Sequence, residues 1–233
     1  MTRRSDEIAA RLADVRRRIA VAANDAGRDP DDVTRVAVTK FFPASDVRIL
    51  ADLGVTDLGE NRHQEAEAKA AACADLDLVW HFIGGLQSNK AAAVAAYADV
   101  VESVDRVKLV AGLQRGAHDR SHTVDVLLQV SLDPPGAAGR SGADPAGLDE
   151  IAAAVQAAGA LRLRGLMAVA PLGEDPASAF ERLAVVRREF VDRHPGAGLL
   201  SAGMSGDLEA AVARGATHVR VGSAVLGSRP PVP

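Results

Sequence analysis

The sequence is poor in several things, and each shortage excludes a class of function. It has one cysteine, Cys73, so no internal disulfide can form. No Cys/His spacing suggests a zinc site, and a reducing compartment, the cytoplasm, is the expected setting. Aromatic residues are only 3% of the chain, which leaves little for a base-stacking platform. The formal net charge is −4, from 31 acidic and 27 basic residues, so no general electrostatic pull toward nucleic acid is expected. No stretch approaches the ~18 uninterrupted apolar residues of a membrane span. The first twenty residues, MTRRSDEIAARLADVRRRIA, are Arg-rich and amphipathic. Asp6, Glu7 and Asp14, with no apolar signal core, argue against a targeting peptide. Lysine is scarce too: Lys40, Lys69, Lys90 and Lys108 are the four, and every other basic residue is arginine. Arginine stays protonated, whereas a lysine amine can become a nucleophile, so each lysine is informative.

What is present is an ordinary globular balance, 48% hydrophobic and 25% charged, over 233 residues. A single domain, 1–233, is expected. Ile8, Leu12, Val15 and Ile19 form one face of a helix over 5–26. Short apolar runs then alternate with helical patterns. Strands are expected at 34–39, 55–60, 78–84, 99–104, 123–132, 162–169, 198–202 and 217–221. Helices are expected at 44–53, 61–74, 87–97, 106–118, 145–158, 175–193 and 206–214, with a short closing one from about 223. Eight β/α units in a chain of this length predict an α/β protein, a closed (β/α)8 barrel with an extra N-terminal helix. A doubly wound sheet is the alternative, disfavoured because no G-x-G-x-x-G follows the first strand.

In such a barrel the active face is built from the C-terminal strand ends. The polar residues there are Lys40, Glu60, Asn61, His81, Glu102, Gln129, Met204, Ser205, Arg220, Gly222 and Ser223. Lys40 closes the apolar run VAVTK, where a buried amine is costly unless it is paired or has chemistry to do. Gly203, Ser205 and Gly206 mark one strand-to-helix turn, and Gly222 with Ser223 marks the next. Turns of this kind after strands seven and eight are where barrels hold phosphate. Strand alternation points Arg220 inward. Its plainer reading is an ion pair with Glu60 or Glu102; its functional reading is a fixed cation aimed at a ligand. An amine, a phosphate nest and an arginine near a ring nitrogen together describe a pyridoxal phosphate (PLP) site. The Pro- and Gly-rich loop 133–147 is either a plain connection or a flap over the site.

The segments VAVTK, LGENRHQE, WHFIGGLQSNK, GLMAVAP, GMSGDLEAAV and VRVGSAVLGSR resemble the YggS/PROSC family of PLP-binding homeostasis proteins, over about Val36 to Arg229. The resemblance implies a barrel like the N-terminal domain of alanine racemase. It implies that Lys40 forms the Schiff base with the vitamin B6 aldehyde and that Asn61 lies near the cofactor ring. Ser205, Gly222 and Ser223 would hold the phosphate, with Met204 and Gly206 nearby. Arg220 would face the pyridine nitrogen, and His81 would line the pocket. Ala202 and Ser131 depart from common family usage.

An arginine cannot give the ring nitrogen a full proton, which disfavours aminotransfer and decarboxylation but not racemisation. The only tyrosine, Tyr97, is expected at the N-terminal side of the barrel, and no second domain is expected after strand eight, so the opposing acid/base of a racemase is missing. The expected role is a carrier that holds and releases PLP, without catalytic or metal-binding residues and as a monomer. Apo-enzymes or free amino acids would receive the cofactor. A weak PLP-dependent racemase and a cofactor-free Schiff-base aldolase are the alternatives. Lys90 reads as a second amine near the site or as a solvated helix residue. Cys73 reads as packing, and Glu65 with Lys69, at i and i+4, as an ordinary helix pair.

Overall fold

The structure, a computed structural model, describes residues 3–134 and 141–228. The strands are β1 (Thr34–Val38), β2 (Asp57–Glu60), β3 (Val79–Phe82), β4 (Val100–Val104), β5 (Val124–Val130), β6 (Leu161–Ala168), β7 (Leu199–Met204) and β8 (His218–Val221). All are parallel, and β8 pairs back onto β1 from Thr34↔His218 to Ala37↔Val221, closing the barrel. The expected architecture is the observed one. Several elements are shorter than their sequence pattern, because apolar runs continue past the last ladder bond.

The helices between strands are α2 (Ala44–Asp52), α3 (His63–Ala72), α4 (Ala91–Ala95), α5 (Val110–Ala117), α6 (Leu148–Gln156), α7 (Pro176–Arg193) and α8 (Leu208–Ala213). A four-residue helix, α9 (Ser223–Leu226), follows β8. Local chemistry sets the boundaries. Asp175 caps α7 by accepting from the amides of Ala177 and Ser178, and Pro176 fits the first turn, where no donor is needed.

The added N-terminal helix, α1 (Arg3–Asp25), buries Ile8, Leu12, Val15 and Ile19, the face that the spacing predicts. Each such side chain contributes roughly 1.5–3 kcal/mol when removed from water. They pack in one cluster with Val47 and Leu50 of α2, Leu208 and Val212 of α8, and Val225 and Leu226 of α9. This helix therefore braces the loops that follow β1, β7 and β8. The larger cluster fills the space between α4–α7 and the outer face of β4–β7.

The barrel interior is unusually polar. Glu102 of β4, Ser201 of β7, His81 of β3 and Arg220 of β8 are all buried. Barrel cores are ordinarily filled by branched aliphatics, so this interior needs its polar groups paired with one another. Among the described residues no helix is long and apolar enough to cross a membrane.

Candidate functional site

At the C-terminal face the barrel opens into a cavity of about 410 Å³. Lys40, Asn61, Met204, Ser205, Gly206, Arg220, Gly222 and Ser223 line it, so eight of the nine sequence-derived site residues meet on one surface. Val38, Phe42, Ile83 and Val169 supply apolar walls that polarity-based reading passed over. A second lobe of about 230 Å³ continues from it, sharing Asn61, Ile83, Val169 and Arg220.

Lys40 is half-buried, two residues past the end of β1. The chain turns sharply there: Phe42 N donates to Thr39 O at 3.0 Å, and Phe41 takes a left-handed φ of 70°. That conformation is uncommon for a residue with a side chain. The turn keeps Lys40 on the cavity wall instead of letting it run up into solvent.

Opposite lie the two Gly/Ser turns. The β7–α8 turn is closed by Asp207, whose amide donates to Met204 O at 3.2 Å and whose carboxylate accepts from Met204 N. Gly203 has φ +90°, and a Cβ there would stand 2.6 Å from the Ala211 Cβ, so only glycine fits. Ser205 Oγ accepts from Ala224 N at 3.2 Å, which ties this turn to the start of α9. Gly222 lets β8 pass close to β1: a Cβ would lie 3.3 Å from Val38 O. The two turns form one continuous wall of small residues and backbone, suited to an anion.

Arg220 forms part of the floor and is 4% exposed. Nη1 donates to Ser201 Oγ at 2.6 Å and Nη2 donates to Ala168 O at 2.8 Å. Ser201 Oγ donates in turn to Glu102 Oε2 at 2.6 Å. Burial pulls the Arg220 pKa down from its ordinary value, and the Glu102 charge works against that pull. The counter-ion is Glu102. Glu60, the other candidate from sequence, faces outward into the helix layer, where Lys69 Nζ donates to it at 2.7 Å.

His81 is the exception. It does not line the mouth cavity. It lies lower in the barrel, bordering a separate cavity of about 220 Å³ toward the N-terminal end with Asp57, Glu102 and His218. Nδ1 is 2.8 Å from Glu102 Oε1 and Nε2 is 3.1 Å from Asp57 Oδ1. The strand carries His81 inward as alternation requires, but the stagger of β3 sets it one layer too deep; Ile83 takes the place at the mouth.

Glu65 and Lys69 are not an ordinary surface pair: Lys69 is 6% exposed and reaches the backbone of β1's end. Lys90 is half-buried in a single 3-10 turn, Ser88–Lys90, and does not line the cavity. Cys73 is buried, as packing would have it. Tyr97 is partly buried and stacks on His63, with ring centroids 5.9 Å apart. Residues 135–140 of the proposed flap, and Arg229 at the end of the last matching segment, lie outside the described residues. Ala143 bonds to the end of β5 and the residue after it, its N donating to Gln129 O and its O accepting from Ser131 N, each at 2.8 Å. Among the described residues no cluster of His, Cys, Asp and Glu could hold a metal ion.

Known proteins resemble this chain over nearly its whole length. The family model for the alanine racemase N-terminal domain matches residues 11–230. A pyridoxal phosphate homeostasis protein of Pseudomonas aeruginosa is 44% identical over 222 residues, covering 95% of this chain and 96% of that protein. One of Mycobacterium tuberculosis is 43% identical over 245 residues, covering 97% and 94%. Among solved structures, PipY of Synechococcus elongatus PCC7942 with PLP bound superposes with a TM-score of 0.80 at 37% identity, covering 94% of this chain and 100% of that one.

Proposed function

The chain belongs to the family of pyridoxal phosphate homeostasis proteins, built on the alanine racemase N-terminal domain, and from that premise we propose that it binds PLP in the mouth cavity and acts as a reversible cytoplasmic carrier of it. When bound, the cofactor would supply an aldehyde open to imine chemistry, and the Lys40 amine would hold it. The observation that carries the reading is the placement of Lys40, Arg220 and the two Gly/Ser turns on one cavity. No one of these would suffice alone.

The cavity fits the group. Its volume falls within the usual range of ~300–1,000 Å³ for small-molecule sites. Ser205, Gly206, Gly222 and Ser223 offer hydroxyls and close backbone approach for a phosphate. Val38, Ile83 and Val169 line the cavity and would give a flat ring apolar contact, and Asn61, also on the lining, would give its polar edge a partner. Arg220, pinned by Ser201 and Ala168, presents a cation that donates hydrogen bonds but holds its own proton. Such a cation would leave a ring nitrogen held against it without a full proton, and so would favour storage over carbanion chemistry. Lys40 would then release the aldehyde to an incoming amine, from a free amino acid or an apo-enzyme lysine, by reversible exchange. Tyr97 does not line the cavity, so it is not placed as an opposing acid or base.

The test is borohydride reduction of the protein loaded with PLP, followed by peptide mass mapping. The pyridoxyl label is expected on Lys40, and Lys40→Ala should be colourless. A label on Lys90 alone would overturn the site. Brisk turnover of a panel of chiral amino acids would overturn the carrier role in favour of a racemase.

A further inference from the structure

Lys40 has a peptide group on each side, and each is gripped from the same helix. The carbonyl of Thr39, which precedes Lys40, accepts from Lys69 Nζ at 2.6 Å. The amide of Phe41, which follows it, donates to Glu65 Oε1. Lys69 and Glu65 are one turn apart on α3 and are themselves joined, Nζ to Oε1 at 2.7 Å. Lys69 spends its remaining N–H on Glu60 Oε1 at 2.7 Å, and the Thr39 hydroxyl donates to that same oxygen at 2.5 Å. Three N–H groups meet three oxygens, which is what a buried ammonium requires.

The gripped segment is a strained one. Phe41 holds a positive φ with a full aromatic side chain, and such a conformation persists only where its surroundings over-determine it. Glu65 holds its amide, and the Arg62 guanidinium sits 5.0 Å from the centre of its ring. Nothing about packing α3 on the barrel calls for a carboxylate on that particular amide.

We infer that the Glu65–Lys69 pair is a clamp that positions Lys40: by fixing both flanking peptides it fixes where the Lys40 amine stands in the cavity, and so sets how readily that amine holds and releases an aldehyde. This rests on the proposed PLP reading for its purpose, but the clamp acts on the bare chain as well. Glu65 and Lys69 are positioning residues. They touch Lys40's backbone, not the ligand.

The experiment uses two readouts. In the unloaded protein, acylation of Lys40 by acetic anhydride is followed by mass spectrometry against exposed Lys108 as internal reference. In the loaded protein, the decay of the imine absorbance is followed after hydroxylamine is added. Glu65→Ala is expected to speed both by at least about threefold, because the freed turn opens more often to solvent. Glu65→Gln, whose amide oxygen still accepts from Phe41 N, should return both toward wild type, a rescue that a merely structural role would not give. Lys69→Met should behave like Glu65→Ala. Wild-type acylation of Lys40 in folded Glu65→Ala and Lys69→Met proteins would overturn the clamp. Absence of any imine in the wild type would overturn the PLP reading instead, and the acylation readout would still decide the clamp.

Discussion

Arg220 Nη1 and Glu102 Oε2 lie 3.8 Å apart in the barrel interior, and the Ser201 hydroxyl bridges them, accepting from one and donating to the other. Glu102 is fully buried. Burial works to raise its pKa, but the hydrogen bond and charge of His81, then the charge of Arg220 and the Ser201 hydroxyl, hold it at about 2. Glu102→Gln keeps the shape and removes the charge, leaving a buried guanidinium without its anion. Breaking a buried pair from one side costs about 3–5 kcal/mol. For a chain of this size that lowers the melting temperature by roughly 6–20 °C. Calorimetry checks it; a melting temperature within about 2 °C of wild type would contradict the assigned role of the pair.

His81 gives that network a pH dependence. Burial disfavours the imidazolium, yet hydrogen bonds and charges of Asp57 and Glu102 raise its pKa from 6.5 to about 9. A folded pKa above the unfolded one contributes stability that is fully present below about pH 6.5 and is lost as pH rises to about 9. The contribution is on the order of 3 kcal/mol. Thermal melts at half-unit steps from pH 6 to pH 10 should show wild type losing its advantage over His81→Gln across that window. A constant difference between the two proteins would mean that His81 is neutral in the fold.

These interior pairs mark the limit of what the sequence discloses. The βα alternation gives all eight strands, and VAVTK and the two Gly/Ser turns give residues that meet on one cavity, because periodicity and turn chemistry are local. Alternation also sends Arg220 and His81 inward. How deep each lies is another matter: it depends on strand stagger around a closed sheet, which no single strand encodes. Hence Arg220 reaches the mouth and His81 does not. Glu65 and Lys69 fail to announce themselves for a related reason. Their spacing is the same on a solvated face and on a buried one, and α3 carries only a weak apolar stripe to tell the two apart. Ser201 is small and unremarkable in sequence; it matters only because Glu102 and Arg220, distant in the chain, meet at its hydroxyl.

Gly84 holds Asn61 in place by having no side chain. A Cβ on Gly84 would stand 2.1 Å from the Asn61 carbonyl oxygen, so in Gly84→Ala the backbone at Asn61 must move. Overpacking of this kind costs about 1–3 kcal/mol. Because Asn61 lines both lobes of the cavity, PLP affinity should fall with stability, by about tenfold or more for a displacement near 1 Å. Gly85→Ala is the control: its Cβ would meet only the Ser141 hydroxyl at 3.3 Å, which can give way. Spectral titration of both variants with PLP checks this. Equal affinities would show that Asn61 is not a contact.

Arg18 reaches from α1 to the Ser205 turn, the wall proposed to hold the phosphate. Nη2 donates to the Ser205 carbonyl at 3.0 Å, while the same guanidinium pairs with Glu209 on α8 at 2.6 and 2.9 Å. The carbonyl bond fixes the turn whose hydroxyl already bonds the start of α9. In Arg18→Ala the turn loses that outer tie. The partly exposed ion pair is worth at most about 1 kcal/mol, so the fold should survive with a small drop in melting temperature. Binding should change more selectively. Affinity for PLP is expected to fall about three- to tenfold, the size of the net ~0.5–1.5 kcal/mol of one ordinary hydrogen bond, since Arg18 acts on the site only through the Ser205 backbone. Affinity for unphosphorylated pyridoxal, which makes no use of that turn, should stay the same. Isothermal titration with the two vitamers separates the outcomes: an equal loss for both would mean that α1 steadies the barrel as a whole and not the Ser205 turn.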